Sequence, residues 1–307
     1  QNFLGSGNTV GIGINKNIYS EMYNLSFMNP YATKDGVSLG YNVYFRETDY
    51  GEFNVANYLT NSNGFGAQFG YPTSDITRLG FNVTYDKTDI DVGTLPALEI
   101  YDFVSAEGNI FETLSVQFSW QRITLNRGLF PTAGSSTVIS LSTTVPGSDL
   151  SYYRSSIRQR YYRPLSSNFV FGFSGELGYL DAYGDTEETP FFQNFYAGGP
   201  RSLRGFESNT LGPRSTDAPC YEFNYEEKTC PNLIDTDGDG ELDAPYINPY
   251  AGSTSRYRDR PIGGNIKVEG SMQLIFRLPF IEDQRSLRSA FFFDFGNVFS
   301  DNCKDYQ

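Results

Sequence analysis

The residues that could carry chemistry are few, and the absence of His excludes most kinds of catalytic site. The 307-residue sequence contains no His and only three Cys. It therefore has no Ser-His or Cys-His nucleophile pair and no His-ligated metal site. Its net charge of −13, from 36 acidic against 23 basic residues, makes it a poor candidate for binding nucleic-acid phosphates. We expect no enzyme activity and no nucleic-acid partner.

One acidic run has the spacing of a calcium loop. The run reads Asp235, Thr236, Asp237, Gly238, Asp239, Gly240, Glu241. Its Asp residues take positions one, three and five of an EF-hand loop, with Gly at position six for the turn. Position twelve is Tyr246, where such loops carry a bidentate Glu, so a site here binds calcium weakly, with a Kd of about 10⁻⁴–10⁻³ M. A calcium site and a plain acidic surface loop fit the run equally well. No other cofactor is predicted.

The elements that position these residues are predicted by a two-residue alternation of apolar and polar side chains. From residue 37 to residue 46, Val, Leu, Tyr, Val and Phe alternate with Ser, Gly, Asn, Tyr and Arg. A β-strand directs alternate side chains to opposite faces, so such a segment has one apolar and one polar face. Eleven segments follow the pattern, at about 8–17, 21–29, 37–49, 62–71, 77–90, 112–124, 135–145, 152–163, 169–181, 265–278 and 286–299.

The polar face favours a membrane barrel over a soluble sandwich. It carries charges in mid-strand among Gly and Ser, at Arg78, Arg158, Glu176, Glu269 and Asp294. The apolar face is aromatic at the strand ends, as in outer-membrane barrels, which combine a polar interior with aromatic girdles. We predict an all-β, antiparallel transmembrane β-barrel, with a soluble antiparallel sandwich or barrel as the alternative.

The connections between strands are of two kinds. Tight turns are predicted at Pro30, Pro72, Pro146 and Pro164, and we place them at one end of the barrel, opposite the longer loops. The segment 182–264 is far longer than an ordinary connection, which indicates a functional loop. An odd number of strands does not close a bacterial barrel, and bare sheet edges cannot face lipid. The chain is therefore expected to be part of a larger barrel.

Motifs along the whole chain resemble the BamA family of outer-membrane β-barrel assembly factors, within the bacterial surface antigen family. They include Gly198-Gly199, Arg204-Gly205-Phe206, Arg127-Gly128-Leu129-Phe130-Pro131-Thr132 and Phe292-Phe293-Asp294-Phe295-Gly296. The resemblance implies a sixteen-stranded barrel, of which residues 1–307 form a partial domain with about eleven strands. It also implies that 182–264 is an extracellular loop folded into the lumen, and that the periplasmic POTRA domains lie outside this sequence.

The same resemblance implies a lock between the long loop and the barrel wall. In the family the Arg of the Arg-Gly-Phe triplet meets acidic residues on the inner wall, which assigns this role to Arg204. Strand parity places Asp294 on the inner face, matching one family partner. The second family partner is a Glu, but its position here is Gln273, a neutral acceptor, for which Glu269 on the same face is the expected substitute. Without the resemblance, Arg204 reads as a solvated loop residue.

Two cysteines of the long loop, Cys220 and Cys230, are predicted to form a disulfide. The compartment outside the inner membrane is oxidising, and closing so short a loop stabilises by roughly 2–3 kcal/mol in the chain-entropy model. Two free thiols are the alternative, and Cys303 is left over.

The function that the resemblance implies is the folding and insertion of β-barrel proteins into the Gram-negative outer membrane. Its implied partners are unfolded outer-membrane clients, the lipoproteins of the assembly machine, POTRA domains of the same full-length chain, and outer-membrane lipid and lipopolysaccharide. The first alternative is a two-partner-secretion transporter of the same superfamily, which shares the Arg-Gly-Phe triplet. A general porin is the second alternative, and an enzyme is the least expected class.

Overall fold

The described residues form eleven β-strands in a single antiparallel sheet. The computed structural model describes residues 3–51, 55–93, 96–218, 224–227, 260–278 and 287–301. The strands are β1 (Thr9–Lys16), β2 (Ser20–Asn29), β3 (Ser38–Asp49), β4 (Leu59–Ser74), β5 (Thr77–Asp91), β6 (Ile110–Ile123), β7 (Gly134–Thr144), β8 (Tyr152–Pro164), β9 (Phe169–Ala182), β10 (Ile266–Phe276) and β11 (Ser289–Phe299). Each pairs with its sequence neighbours, and the sheet is open between β1 and β11. The eleven predicted strands are confirmed.

The two faces of the sheet differ as the alternation predicted. On β11, Phe291 and Phe293 are 70% and 65% exposed, whereas the side chain of Asp294 beside them is only 6% exposed. We call the exposed apolar side the outer face and the side of Asp294 the inner face. Aromatic residues pair across strands on the outer face, as Tyr41 does with Phe65 at 6.1 Å between ring centroids. An exposed apolar surface of this extent is typical of a lipid-facing barrel wall.

Successive antiparallel connections alternate between two ends of the sheet. The turn end carries the β2–β3, β4–β5, β6–β7, β8–β9 and β10–β11 connections, and the loop end carries the others. The prediction that all four Pro turns share one end is wrong, because Pro146 follows β7 and therefore lies at the loop end. Pro72 does not end its strand either: β4 continues to Ser74 through a register shift.

The loop-end connections pack into a small core of their own. One of them contains the helix α1 (Leu98–Glu107), which the alternation did not predict. Buried apolar residues from four connections meet there: Val55, Ala56, Tyr58, Ala97, Ile100, Phe103, Leu150, Phe191 and Ile262, with Ile90 and Phe111 from the strand ends. Burial raises the pKa of the Tyr58 and Tyr196 hydroxyls well above the ordinary value of a phenol.

Among the described residues, no helix has the length and apolarity needed to cross a membrane.

Candidate functional site

The first part of the β9–β10 connection lies against the inner face of the sheet. We call residues 195–211 the inner loop. Its residues Phe195, Ala197 and Leu203 bury their side chains against Leu180 of β9 and Val298 of β11. The backbone of Phe195 exchanges two hydrogen bonds with Gly264, which precedes β10, and Ala197 forms a bridge to Leu211. Apolar contact and backbone pairing together hold both ends of the inner loop on the wall.

Glycines form the tight turn within the inner loop. Gly198 and Gly199 have φ values of +110° and +96°, a backbone region that favours glycine. A Cβ added at Gly198 would lie 2.4 Å from the backbone oxygen of Glu207, closer than any side chain allows. The Gly-Gly pair of the sequence motif is therefore required by the path of the backbone.

Arg204 makes a two-pronged ion pair with Asp294 of β11. Its Nε donates to Oδ2 at 2.8 Å and its Nη2 donates to Oδ1 at 2.6 Å. The backbone N–H of Arg204 also donates to Oδ2, at 3.0 Å, and Nη2 makes a further bond of 2.8 Å to the hydroxyl of Ser271. Such fork-shaped, charge-assisted bonds are among the strongest side-chain contacts in proteins.

The surroundings of this ion pair favour the charged guanidinium. Ser271 lies directly opposite Asp294 in the β10–β11 register, which brings its hydroxyl beside the carboxylate. The ring of Phe292, two residues before Asp294 on the same face, lies under the guanidinium with its centroid 3.5 Å from Cζ. A cation over an aromatic face gains about 0.5–2 kcal/mol, more where water is excluded. The sequence patterns did not single out Ser271 or Phe292 as partners.

The other predicted lock residues occupy different places. Glu269 pairs with a different residue of the loop: it accepts a short hydrogen bond from Ser202, two residues before Arg204. Gln273 reaches the site through Ser271, at 3.4 Å. Gly205 has a φ of +91°, and the side chain of Phe206 is 56% exposed. The inner loop therefore makes polar contacts with the wall through Arg204, on Asp294 and Ser271, and through Ser202, on Glu269.

The predicted disulfide and calcium residues lie outside the described residues. These are Cys220, Cys230, Asp235, Asp237, Asp239 and Glu241. Within the described part of the chain, no group of three or more Cys, Asp or Glu is arranged to hold a metal ion.

Comparison with known proteins gives the same family along the whole chain. The model of the Omp85 superfamily domain matches residues 2–307. Outer membrane protein assembly factor BamA of Neisseria meningitidis serogroup B is 29% identical over 314 aligned residues, which cover 99% of this chain and 35% of that protein. The sorting and assembly machinery component 50 homolog of Mus musculus is 23% identical and covers 70% of this chain and 44% of its own length.

A solved structure gives the same architecture. The crystal structure of BamA from Haemophilus ducreyi lacking POTRA domains 1–3 superposes with a TM-score of 0.80 at 29% identity, covering 97% of this chain and 53% of that one. The chain thus spans about a third to a half of the length of these relatives. With the exposed apolar outer face, these similarities identify a β-barrel segment of the bacterial outer membrane. The chain belongs to the Omp85 superfamily.

Proposed function

We propose that this chain is the membrane barrel of an outer-membrane assembly factor, which folds other β-barrel proteins and inserts them into the outer membrane. The observation that carries the proposal is the similarity over 99% of the chain to a protein of that name. Because the chain covers only part of its relatives, the activity, clients and partners of the whole protein are part of this proposal. The inner loop seated on the wall supports it, since a filled lumen is unlike the open channel of a general porin.

The proposed mechanism involves no bond chemistry. An unpaired backbone group costs several kcal/mol in lipid, so a strand cannot enter the membrane alone. A barrel that lends an edge for pairing removes much of this cost, and a locally thin bilayer shortens the crossing. The assembly factor would therefore act by templating strands and by thinning the membrane beside it.

The outward apolar run differs in length between strands of the outer face, and we take the short run on β2 as support for membrane thinning. On β9 the outward apolar side chains run from Phe169 to Tyr179, and on β2 only from Tyr23 to Phe27. At about 3.3 Å per residue these runs are roughly 33 and 13 Å long. A strand tilt of about 40° reduces them to roughly 25 and 10 Å, and the usual apolar band of a barrel is about 25 Å. The β2 run is shorter than this band, and we propose that the bilayer thins beside it.

We propose that Arg204 and Asp294 form the lock that keeps the inner loop on the wall, with Gly205 and Phe206 completing the motif at its tip. Gln273 stands where the family has a second acidic partner. Glu269 takes over that role, but it binds Ser202 of the loop and not Arg204. The lock supports assembly by keeping the lumen filled and the wall rigid while client strands pair at the edge of the barrel.

The partners follow from this role. They are unfolded outer-membrane clients, the lipoproteins of the assembly machine, POTRA domains of the full-length chain, and outer-membrane lipid with its lipopolysaccharide.

For Cys220 and Cys230 we propose a disulfide. Maleimide labelling of the intact protein tests it, and labelling of both thiols without reductant would refute it.

For the acidic run at Asp235, Asp237, Asp239 and Glu241 we propose weak calcium binding. Calorimetric titration of the full-length protein tests it, with a heat expected between about 10⁻⁴ and 10⁻³ M calcium. No heat up to several millimolar would remove the site.

Depletion of the protein from its native host tests the proposed function. We expect a general loss of folded outer-membrane barrels, measured by heat-dependent gel mobility and by quantitative proteomics of the outer membrane. Loss of a single secreted protein, with the other barrels unchanged, would instead support the two-partner-secretion transporter.

A further inference from the structure

Charged side chains on the inner face form a continuous chain that ends at the inner loop. Arg158 of β8 contacts Glu176 of β9 at 2.8 Å. Lys267 of β10 contacts Glu176 at 3.2 Å and Glu269 at 3.3 Å. Glu269 in turn accepts the hydrogen bond of Ser202. The four charges alternate in sign and sum to zero across three strands, so the chain can be buried at moderate cost.

The strand register shows what Lys267 does among these four charged side chains. Glu269 and Glu176 are directly opposite each other on neighbouring strands, and they share the inner face. Like charges so placed repel each other. The side chains of Glu176, Lys267 and Glu269 are only 12%, 11% and 14% exposed, so water screens this repulsion little. Lys267 contacts both carboxylates and compensates for their proximity.

We propose that Lys267 is a positioning residue for a second anchor of the inner loop, in which Glu269 holds the hydroxyl of Ser202. Lys267 offsets the repulsion between Glu269 and Glu176 and holds the Glu269 carboxylate toward the loop. The anchor is distinct from the Arg204–Asp294 pair, since it uses another residue of the inner loop. It also connects that loop, through Glu269 and Lys267, to the charged residues of β8 and β9. Its meaning for client insertion rests on the proposed function, but its existence does not.

Hydrogen exchange of the full-length protein in lipid nanodiscs tests the anchor without any client. We expect Lys267→Met to speed exchange of the peptide 197–206 by about tenfold, with Glu269→Gln and Ser202→Ala giving similar changes. All three variants act on the Ser202–Glu269 contact, and Ser202→Ala also removes the hydroxyl that accepts the Gly198 N–H at 3.2 Å. Adding Lys267→Met to Ser202→Ala should therefore change the exchange little beyond Ser202→Ala alone. The mild Ser202→Ala variant keeps the test available if a charge variant folds poorly.

Two further variants separate positioning from general stability. Glu176→Gln should restore protection of the loop in the Lys267→Met background, because it removes the carboxylate that opposes Glu269. Lys87→Met, which breaks the Lys87–Glu112 pair of the outer face, should leave the loop unchanged. Additive effects of Lys267→Met and Ser202→Ala, or no rescue by Glu176→Gln, would overturn the proposal. Client folding measured on the same variants tests the proposed function separately.

Discussion

Replacing Arg204 by Ala removes most of the lock between the inner loop and the wall. The change deletes two bonds to Asp294, the bond to Ser271 and the contact with the Phe292 ring. Asp294 keeps the backbone N–H of residue 204 and the neighbouring Ser271 hydroxyl but loses its counter-charge, and its side chain is 6% exposed. Removing one partner of a buried ion pair costs about 3–5 kcal/mol, because the other charge stays behind unpaired. The opened state of the loop should therefore become about 10²- to 5 × 10³-fold more populated.

Hydrogen exchange measured on the peptide 197–206 reports this population. In the seated loop the amides of Gly199 and Ser202 donate to backbone oxygens at 3.1 Å, and that of Arg204 donates to Asp294. Local opening exposes them together, so their exchange should accelerate by the factor given above, while the β4–β5 peptides stay protected. Arg204→Lys should fall between, because it keeps the charge and loses the fork.

The matched control is Arg201→Ala, which removes the same residue type from an exposed position of the same loop. It should change exchange of the 197–206 peptide by less than threefold, which corresponds to about 0.65 kcal/mol. If Arg204→Ala accelerates exchange no more than Arg201→Ala does, the ion pair does not hold the loop, and the reasoning is wrong.

Other positions give further predictions. Gly198→Ala should destabilise the inner loop by roughly 1–3 kcal/mol, seen as faster exchange of the same peptide, because an Ala at this positive φ is strained and meets Glu207. Thr216→Val should loosen α1 by about 1–2 kcal/mol, since the Thr216 hydroxyl donates to the buried Glu99 carboxylate at 2.8 Å; unchanged exchange of the 98–107 peptide would contradict this. Lys16→Leu with Glu21→Leu should widen the apolar band beside β2 and slow client insertion most in thick bilayers, measured as client folding rate against lipid chain length.

The strands could be predicted from sequence because each carries its own evidence. A two-residue alternation over ten or more residues identifies a strand and both of its faces without knowledge of its neighbours. That is why the inner-face position of Asp294 followed from parity alone. The helix α1 gave no such signal, since its segment lies in a connection and its fold depends on contacts such as the one between Glu99 and Thr216.

The contacts of the site could not be predicted, because they depend on register and on the path of the loop. Sequence identified Glu269 as a substitute partner for Arg204, whereas the structure places it on Ser202. The role of Lys267 depends on Glu176 and Glu269 being directly opposite, which a slip of two residues would abolish. The Arg204 pairing itself was expected only from the family motif, because an isolated loop Arg is ordinarily solvated.

Client folding by the purified full-length protein tests the central claim most directly. The protein is reconstituted in vesicles of outer-membrane lipid, an unfolded β-barrel client is added, and its folding is followed by heat-dependent gel mobility. We predict at least tenfold faster folding than in empty vesicles, and a smaller acceleration with Asp294→Asn. Equal rates in the loaded and empty vesicles, with the reconstituted barrel itself folded, would contradict the assignment of this chain to outer-membrane protein assembly.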